Sequence, residues 1–180
     1  MTFRLRTERT RIRPWEPSDR ACFARLATDP RVMRHITDGR AWTEEEIDEF
    51  LTRQARHLAQ HGFCLGALSL DAVPGVAGLC GMQPLGTTND VEVGWWLAPE
   101  HWGQGLATEA ARSVLAFARD QQRLSRLLAI ARSENRASTR IMEKLGMQFA
   151  GIHTGAELGL RQPDIELATY SLELRPSAHT

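Results

Sequence analysis

At 180 residues the chain can bury a sizeable core, and it is short enough that a single domain is expected. Hydrophobic residues at 42% and charged residues at 24% argue against disorder, and a formal net charge of zero excludes a global field that would draw the chain to nucleic acid or an anionic membrane. No apolar run approaches the roughly 20 residues that span a bilayer, and the arginine-interrupted start lacks the apolar stretch of a secretory signal, so a cytoplasmic protein is expected.

Arg4 to Arg13 reads as one N-terminal strand. Its clustered arginines, Arg4, Arg6, Arg9, Arg11 and Arg13, suit a solvated strand face better than a polyanion site. Pro17-Ser18-Asp19 supplies a helix start, followed by Cys22, Phe23 and Leu26 on one face. Thr43-Glu44-Glu45-Glu46 is a capping box, and Ile47, Phe50, Leu51 and Leu58 continue an apolar stripe to about Gln60. Phe63 to Leu70, Val76 to Met82 and Val91 to Leu97 are short apolar segments separated by turn-rich breaks, which predicts an antiparallel meander.

A strong helix follows, carried by Ala107, Ala110, Ala111, Val114, Leu115 and Ala118 through about Asp120. Beyond it the pattern predicts a strand over Leu127–Ala131, a helix over Asn135–Leu145 closed by Gly146, and strands over Phe149–His153 and Ile165–Leu174. Helices first, then a meander, then alternating helix and strand describe an α+β fold with a mixed sheet. One domain over 1–174 and a loose tail over 175–180 are expected.

Three scattered cysteines, Cys22, Cys64 and Cys80, read as free thiols and not as a disulfide framework or a metal site. Lys144 is the only lysine, a bias that points to a GC-rich, bacterial source. Among the histidines, His57 and His61 have i, i+4 spacing but no H-E-x-x-H pattern or third ligand, so they are expected on a solvent-exposed helix face and no metal is expected. His35, His101 and His153 form no recognisable ligand set, and His101 sits in the loop that follows the third meander strand.

The chemistry enters where Val91–Leu97 runs through Pro99 into Gly103-Gln104-Gly105-Leu106-Ala107 and straight into a helix. Free amides at a helix start form an anion site, and glycines let the backbone approach a phosphate closely. A Walker A loop would need a lysine that is absent here. A dinucleotide fingerprint would need a third glycine where Thr108 stands, and an acidic residue after the next strand where Arg132 stands. A pyrophosphate cradle for coenzyme A is the third reading.

Trp102-Gly103-Gln104-Gly105-Leu106-Ala107 resembles the coenzyme A motif of the GNAT N-acetyltransferases. Val93-Gly94-Trp95-Trp96-Leu97 with Ala107-Thr108-Glu109-Ala110 looks like the RimJ/RimL branch, in which an aromatic opens the loop. Asn135-Arg136-Ala137-Ser138 with Lys144-Leu145-Gly146-Met147 is similar to the second GNAT motif, and the resemblance spans essentially the whole domain. It implies the GNAT fold, a mixed, mostly antiparallel sheet with a V-shaped splay between central strands and flanking helices. It also implies acetyl-CoA as cofactor, with Trp96, Leu97 and Asn135 toward the pantetheine arm and Trp102, Gly103, Gln104, Gly105, Leu106, Ala107 and Thr108 at the pyrophosphate. Independently of that role, Asn135 suits a helix N-cap.

Acetyl transfer to an amine needs a neutral nitrogen, a donor at the carbonyl oxygen and a proton for the leaving thiolate. Many GNAT enzymes place a tyrosine seven residues after the motif asparagine, where this chain has Met142; Tyr170, the only tyrosine, belongs to the last strand and is expected to pack there. Ser138 is the substitute acid that the resemblance offers. A small residue kept for packing is the alternative reading of Ser138.

For the base, resemblance offers Glu157, in the loop Thr154-Gly155-Ala156-Glu157-Leu158-Gly159, and Glu92, on the strand leading to the turn; a structural carboxylate hydrogen-bonding in the sheet is the alternative reading of Glu92. A slight preference goes to Glu157 for its loop position, and an ordered water relay without a dedicated base is the third option. The acceptor pocket is implied to come from about Met33–Trp42 and His153–Gln162, with Met33, His35, Ile36 and Trp42 as lining candidates, and ordinary helix-loop packing is the alternative reading of each. The expected activity is acetyl-CoA-dependent N-acetylation of a primary amine, either a protein N-terminus or a small molecule. The alternatives are a detoxifying acetyltransferase for an antibiotic or metabolite, and an acyl-CoA sensor without catalysis. Neither a nucleic-acid nor a membrane partner is expected, and a homodimer is left open.

Overall fold

The computed structural model describes residues 3–174, so the expected tail over 175–180 lies outside the described residues. Eight strands form one sheet in the order β1-β2-β3-β4-β5-β6-β8-β7. They are β1 (Leu5–Arg6), β2 (Thr10–Arg13), β3 (Leu65–Leu70), β4 (Val73–Pro84), β5 (Val91–Leu97), β6 (Arg126–Ala131), β7 (Gln148–Thr154) and β8 (Glu166–Glu173). Every neighbouring pair is antiparallel except β5 and β6, which run parallel.

The single N-terminal strand expected over Arg4–Arg13 is a hairpin. Thr7 N–H donates to the Thr10 carbonyl at 2.9 Å, and the Thr7 and Thr10 hydroxyls meet at 2.7 Å, turning the chain so that Leu5 faces Ile12. Four of these five arginines are paired: Arg6 and Arg11 share Asp71, Arg13 grips Asp19, and Arg9 holds Glu109. β4 starts earlier than the sequence suggests and absorbs the presumed turn around Gly75.

The helices are α1 (Arg20–Thr28), the short α2 (Pro30–Met33), α3 (Glu44–His61), α4 (Leu106–Asp120) and α5 (Arg136–Lys144). α3 begins with the expected capping box: Glu46 N–H donates to Thr43 Oγ1 at 3.3 Å, and Thr43 N–H donates to Glu46 Oε2 at 2.8 Å. Such a cap stabilises a helix by about 1 kcal/mol. Gly62, at φ 76°, ends it in the left-handed conformation that glycine tolerates.

Alternation along β5 divides the core. Val93, Trp95 and Leu97 pack with α4 and α5, while Trp96 joins Phe23, Trp42 and Phe50 beneath α1–α3. Glu92 and Gly94 share the face of Trp96, since side chains two apart in a strand point the same way. Cys64 and Cys80 are buried free thiols, pushed up to about 12 by burial, and Cys22 is a half-buried free thiol. No described helix is long and apolar enough to cross a membrane.

Candidate active site

β5 and β6 touch at one register pair, Glu92 opposite Leu128. Beyond it β5 remains bonded to β4 and β6 to β8, so the two inner edges diverge with unpaired backbone facing the gap. Glu92 therefore stands at the fork of a V. A cleft of about 520 Å³ opens there, lined by Glu92, Gly94 and Trp96 from β5, Ile130 and Ala131 from β6, and Asn135, Ser138 and Met142 from the α5 segment. Its far wall is the α3 face carrying Glu46, Glu49, Phe50, Arg53 and His57, with residues 35–37, Trp42 and the late loop from Gly159 to Gln162 closing the rim.

The glycine turn lies at the end of β5. Gly103 and Gly105 have φ of 74° and 77°, and Gly105 is the N-cap of α4 without any side-chain cap. Among the described residues none of the N–H groups of Gly103, Gln104, Gly105, Leu106, Ala107 and Thr108 donates to a protein acceptor; the first bonded amide of the helix is Glu109, to the Gly105 carbonyl at 3.0 Å. A Cβ on Gly103 would meet nothing within 4 Å. An open array of free amides at the positive end of a 15-residue helix suits a diphosphate. Trp102 folds its indole back, donating from Nε1 to the Leu97 carbonyl at 2.8 Å, while its ring stays half exposed.

Glu92 is held by a chain of amides. Gln83, its cross-strand neighbour, donates from Nε2 to Glu92 Oε1 at 2.7 Å. Gln54 of α3 donates from Nε2 to Gln83 Oε1 at 3.0 Å, and its own Oε1 accepts from Leu65 N–H at 2.9 Å. Burial pushes the Glu92 carboxyl up to about 7, against the opposing hydrogen bond from Gln83 and the charge of Arg53. A carboxylate so placed can exchange a proton near neutral pH.

Glu157, the other sequence candidate, is elsewhere. It is exposed, outside the cleft lining, and its Oε2 accepts from Thr154 N–H at 2.7 Å and Thr154 Oγ1 at 3.0 Å. These bonds from the Thr154 backbone and hydroxyl hold its carboxyl below the ordinary range. Asn135 is the N-cap of α5, its Oδ1 accepting from Ser138 N–H at 3.2 Å. Ser138 Oγ has no hydrogen-bond partner among the described residues and stands on the cleft wall, on the side of α5 that carries Met142.

His35, Ile36 and Trp42 line the cleft as expected of acceptor-pocket candidates, but Met33 is fully buried in the α1–α3 core. His57 is half-buried in the cleft wall and not on a solvent-exposed face; burial, then the Arg53 charge, lowers it to about 4. His101 is half-buried in the loop before the turn, and His153 Nδ1 lies 3.0 Å from Thr169 Oγ1. Tyr170 packs against the α4 core and Phe149. Arg53, Gln54 and Gln83 escaped the sequence reading. Gln54 did leave a signal, a polar residue on the Ile47–Phe50–Leu51–Leu58 stripe.

A splayed parallel pair with a free-amide turn at its mouth defines a cleft suited to an elongated ligand that carries a diphosphate. Residues 9–148 match the acetyltransferase (GNAT) domain family. YkkB of Bacillus subtilis (strain 168) is 30% identical over 150 residues, covering 82% of this chain and 86% of that protein. An acetyltransferase from Agrobacterium tumefaciens superposes with TM-score 0.82 at 21% identity, over 96% of this chain and 95% of that one. RimL, a ribosomal L7/L12 α-N-protein acetyltransferase solved with coenzyme A, superposes with TM-score 0.77 at 15% identity, over 95% and 98%. The chain belongs to the GNAT acetyltransferase family, and its cofactor is acetyl-CoA.

Proposed function

We propose that the chain is an acetyl-CoA-dependent N-acetyltransferase in which Glu92 is the base and Ser138 the acid. The observation that carries this reading is Glu92, held by Gln83 at the fork of the cleft with its carboxyl near 7. The free amides from Gly103 to Thr108 would hold the pyrophosphate, and the inner edge of β5 at Trp96 and Leu97, with the Asn135 region opposite, would flank the pantetheine arm. Acetyl-CoA supplies an activated thioester whose C–S bond breaks as a C–N bond forms.

Glu92 takes a proton from the acceptor ammonium, leaving the nitrogen lone pair free. As the C–N bond forms, the nitrogen sheds its second proton to water; Ser138 Oγ gives its own proton to the departing sulfur and is reprotonated from that water, while the proton on Glu92 passes to solvent. Holding both groups on one cleft makes the attack effectively unimolecular, worth several kcal/mol, of order ~7 in favourable cases.

The acidity of Glu92 also bears on the acceptor. A peptide's α-amine, with an ordinary pKa of about 8, gives its proton to a carboxylate near 7 far more readily than a lysine amine at about 10.4. That match, together with the likeness to RimL, favours an α-amine acceptor and a place near the RimJ/RimL branch. Glu157 is excluded from the proposed chemistry because its carboxylate caps its own loop.

The test is thiol release from acetyl-CoA across α-amine and side-chain-amine acceptors. The expected result is turnover with α-amines, a fall of about 10²-fold or more in Glu92→Gln with acetyl-CoA binding kept, and little change in Glu157→Gln. Full activity in Glu92→Gln would leave a water relay as the mechanism.

A further inference from the structure

Resting on the transferase reading above, we infer that the acceptor is an α-amine carrying a carboxylate close to the amine, recognised by Arg53 on the wall opposite Glu92. The cations around the cleft are not equivalent. Arg40 is paired with Asp38 and Glu46. Arg161 is paired with Glu49 at the rim. Arg53 forms no ion pair or hydrogen bond among the described residues; its guanidinium lies over the ring of Phe50, 5.4 Å from the guanidinium carbon to the centroid.

The helix could have neutralised it. Glu49, one turn earlier on α3, is at the spacing that pairs with Arg53, yet its carboxylate turns to Arg161 of the late loop. His57, one turn later, is neutral at physiological pH, and its Nδ1 is buried without a partner. A half-buried guanidinium has lost part of its water, which depresses its pKa, and the face of one aromatic ring restores only part of that loss. What remains is a planar donor fork facing the cleft, suited to a bidentate carboxylate.

Arg53 and Glu92 feel each other electrostatically but do not pair, so the cleft separates them on opposite walls. An acceptor that puts its ammonium on Glu92 and an anion on Arg53 satisfies both groups at once. A lone amine would leave the Arg53 donors without an acceptor, and a lone anion would leave Glu92 without its proton donor. The carboxylate could be that of a free amino acid, or the side chain of an acidic residue at a peptide N-terminus.

The two sources are separated by paired acceptors. Aspartyl-alaninamide is compared with its neutral isostere asparaginyl-alaninamide, and alanine with alaninamide. Equilibrium binding to the coenzyme A-loaded protein is measured by calorimetry, and turnover by thiol release. At least one charged member is expected to bind about tenfold tighter than its neutral partner; the first pair winning identifies a peptide terminus, the second a free amino acid. In Arg53→Gln the ratio should collapse to about one, with acetyl-CoA binding reporting that the variant is folded, and Arg53→Lys should keep part of it. Equal binding within both pairs, or a ratio that survives Arg53→Gln, overturns the inference. Selective binding without thiol release upholds the anion site and instead defeats the transferase reading.

Discussion

Arg9 and Glu109 are joined at three points: Arg9 Nε donates to Glu109 Oε2 at 2.7 Å, Nη2 lies 2.6 Å from the same oxygen, and the Arg9 backbone N–H donates to Oε1 at 2.9 Å. The same guanidinium donates from Nη1 to the Gln104 carbonyl at 3.1 Å. One side chain of the N-terminal hairpin thus fixes both the glycine turn and the first turn of α4. Burial alone would push the Glu109 carboxyl up, but the bonds from Thr7 and Arg9 outweigh it and hold the group below its ordinary range. Glu109 reads as part of the cofactor motif, and its contacts are structural.

Glu109→Ala should therefore release the turn without touching a ligand. Losing a half-exposed charged hydrogen-bond pair costs about 1 kcal/mol. The acetyl-CoA Kd is expected to rise about fivefold, as read by calorimetry, alongside a modest loss in Tm. An unchanged Kd would mean that the turn is rigid without its clamp.

Glu92 predicts an activity profile and a stability profile with opposite signs. Its base form appears as pH rises through about 7, so kcat/KM should climb over that range, and Glu92→Gln should abolish the climb. The groups acting on it are Gln83, which does not titrate, and Arg53, which stays charged; His57, elsewhere in the cleft lining, is neutral above about 5 because it titrates near 4. For stability, the folded carboxyl titrates above its ordinary 4.5, so the unfolded chain ionises first. The charged carboxylate then penalises the fold increasingly from about 4.5 to 7 and by a constant amount above. Glu92→Gln should accordingly match the parent in Tm near pH 4.5 and exceed it at pH 8. Equal Tm values at both pH values would show that burial does not raise the carboxyl.

The parts of the site that sequence disclosed are local ones. Gly103 and Gly105 are read from their own backbone demands, Thr43 and Glu46 from a three-residue spacing, and Asn135 from its place before α5. What stayed hidden depends on register or on distant partners. Gln83 meets Glu92 only because of how β4 pairs with β5, and Thr7 turns the N-terminal hairpin with help from a carboxylate 102 positions away. Glu157 gained its preference from lying in a loop, and that same loop supplies the Thr154 donors that occupy it. His57 looked solvent-facing because its spacing with His61 says nothing of the late loop that covers the cleft rim.

Gln83 is a positioning residue, and its variant should move a pH profile more than a fold. Gln83→Leu removes the donor that favours the ionised form of Glu92, so the ascending limb of kcat/KM should shift to more alkaline pH. Gln54→Leu differs in kind. It leaves the buried Leu65 N–H without an acceptor and should cost about 1–3 kcal/mol in global stability by denaturant titration. A Gln83→Leu protein with an unmoved limb would show that the amide chain props up the sheet and has no hold on the base.

Gly105→Val addresses the cradle. A Cβ at Gly105 would meet nothing nearer than Arg9 Nη2 at 3.8 Å, so crowding by the rest of the protein is not the obstacle. The obstacle is φ of 77°, which costs a side-chain-bearing residue roughly 1–2 kcal/mol and a β-branched one more. Valine would relieve that strain by rotating the peptide, turning aside the Gly105 and Leu106 amides that face the open turn. Acetyl-CoA affinity should fall at least tenfold by calorimetry. Gly105→Asn, which tolerates the left-handed region, should retain most of it. If valine and asparagine bind acetyl-CoA equally well, the amides of this turn do not hold the pyrophosphate.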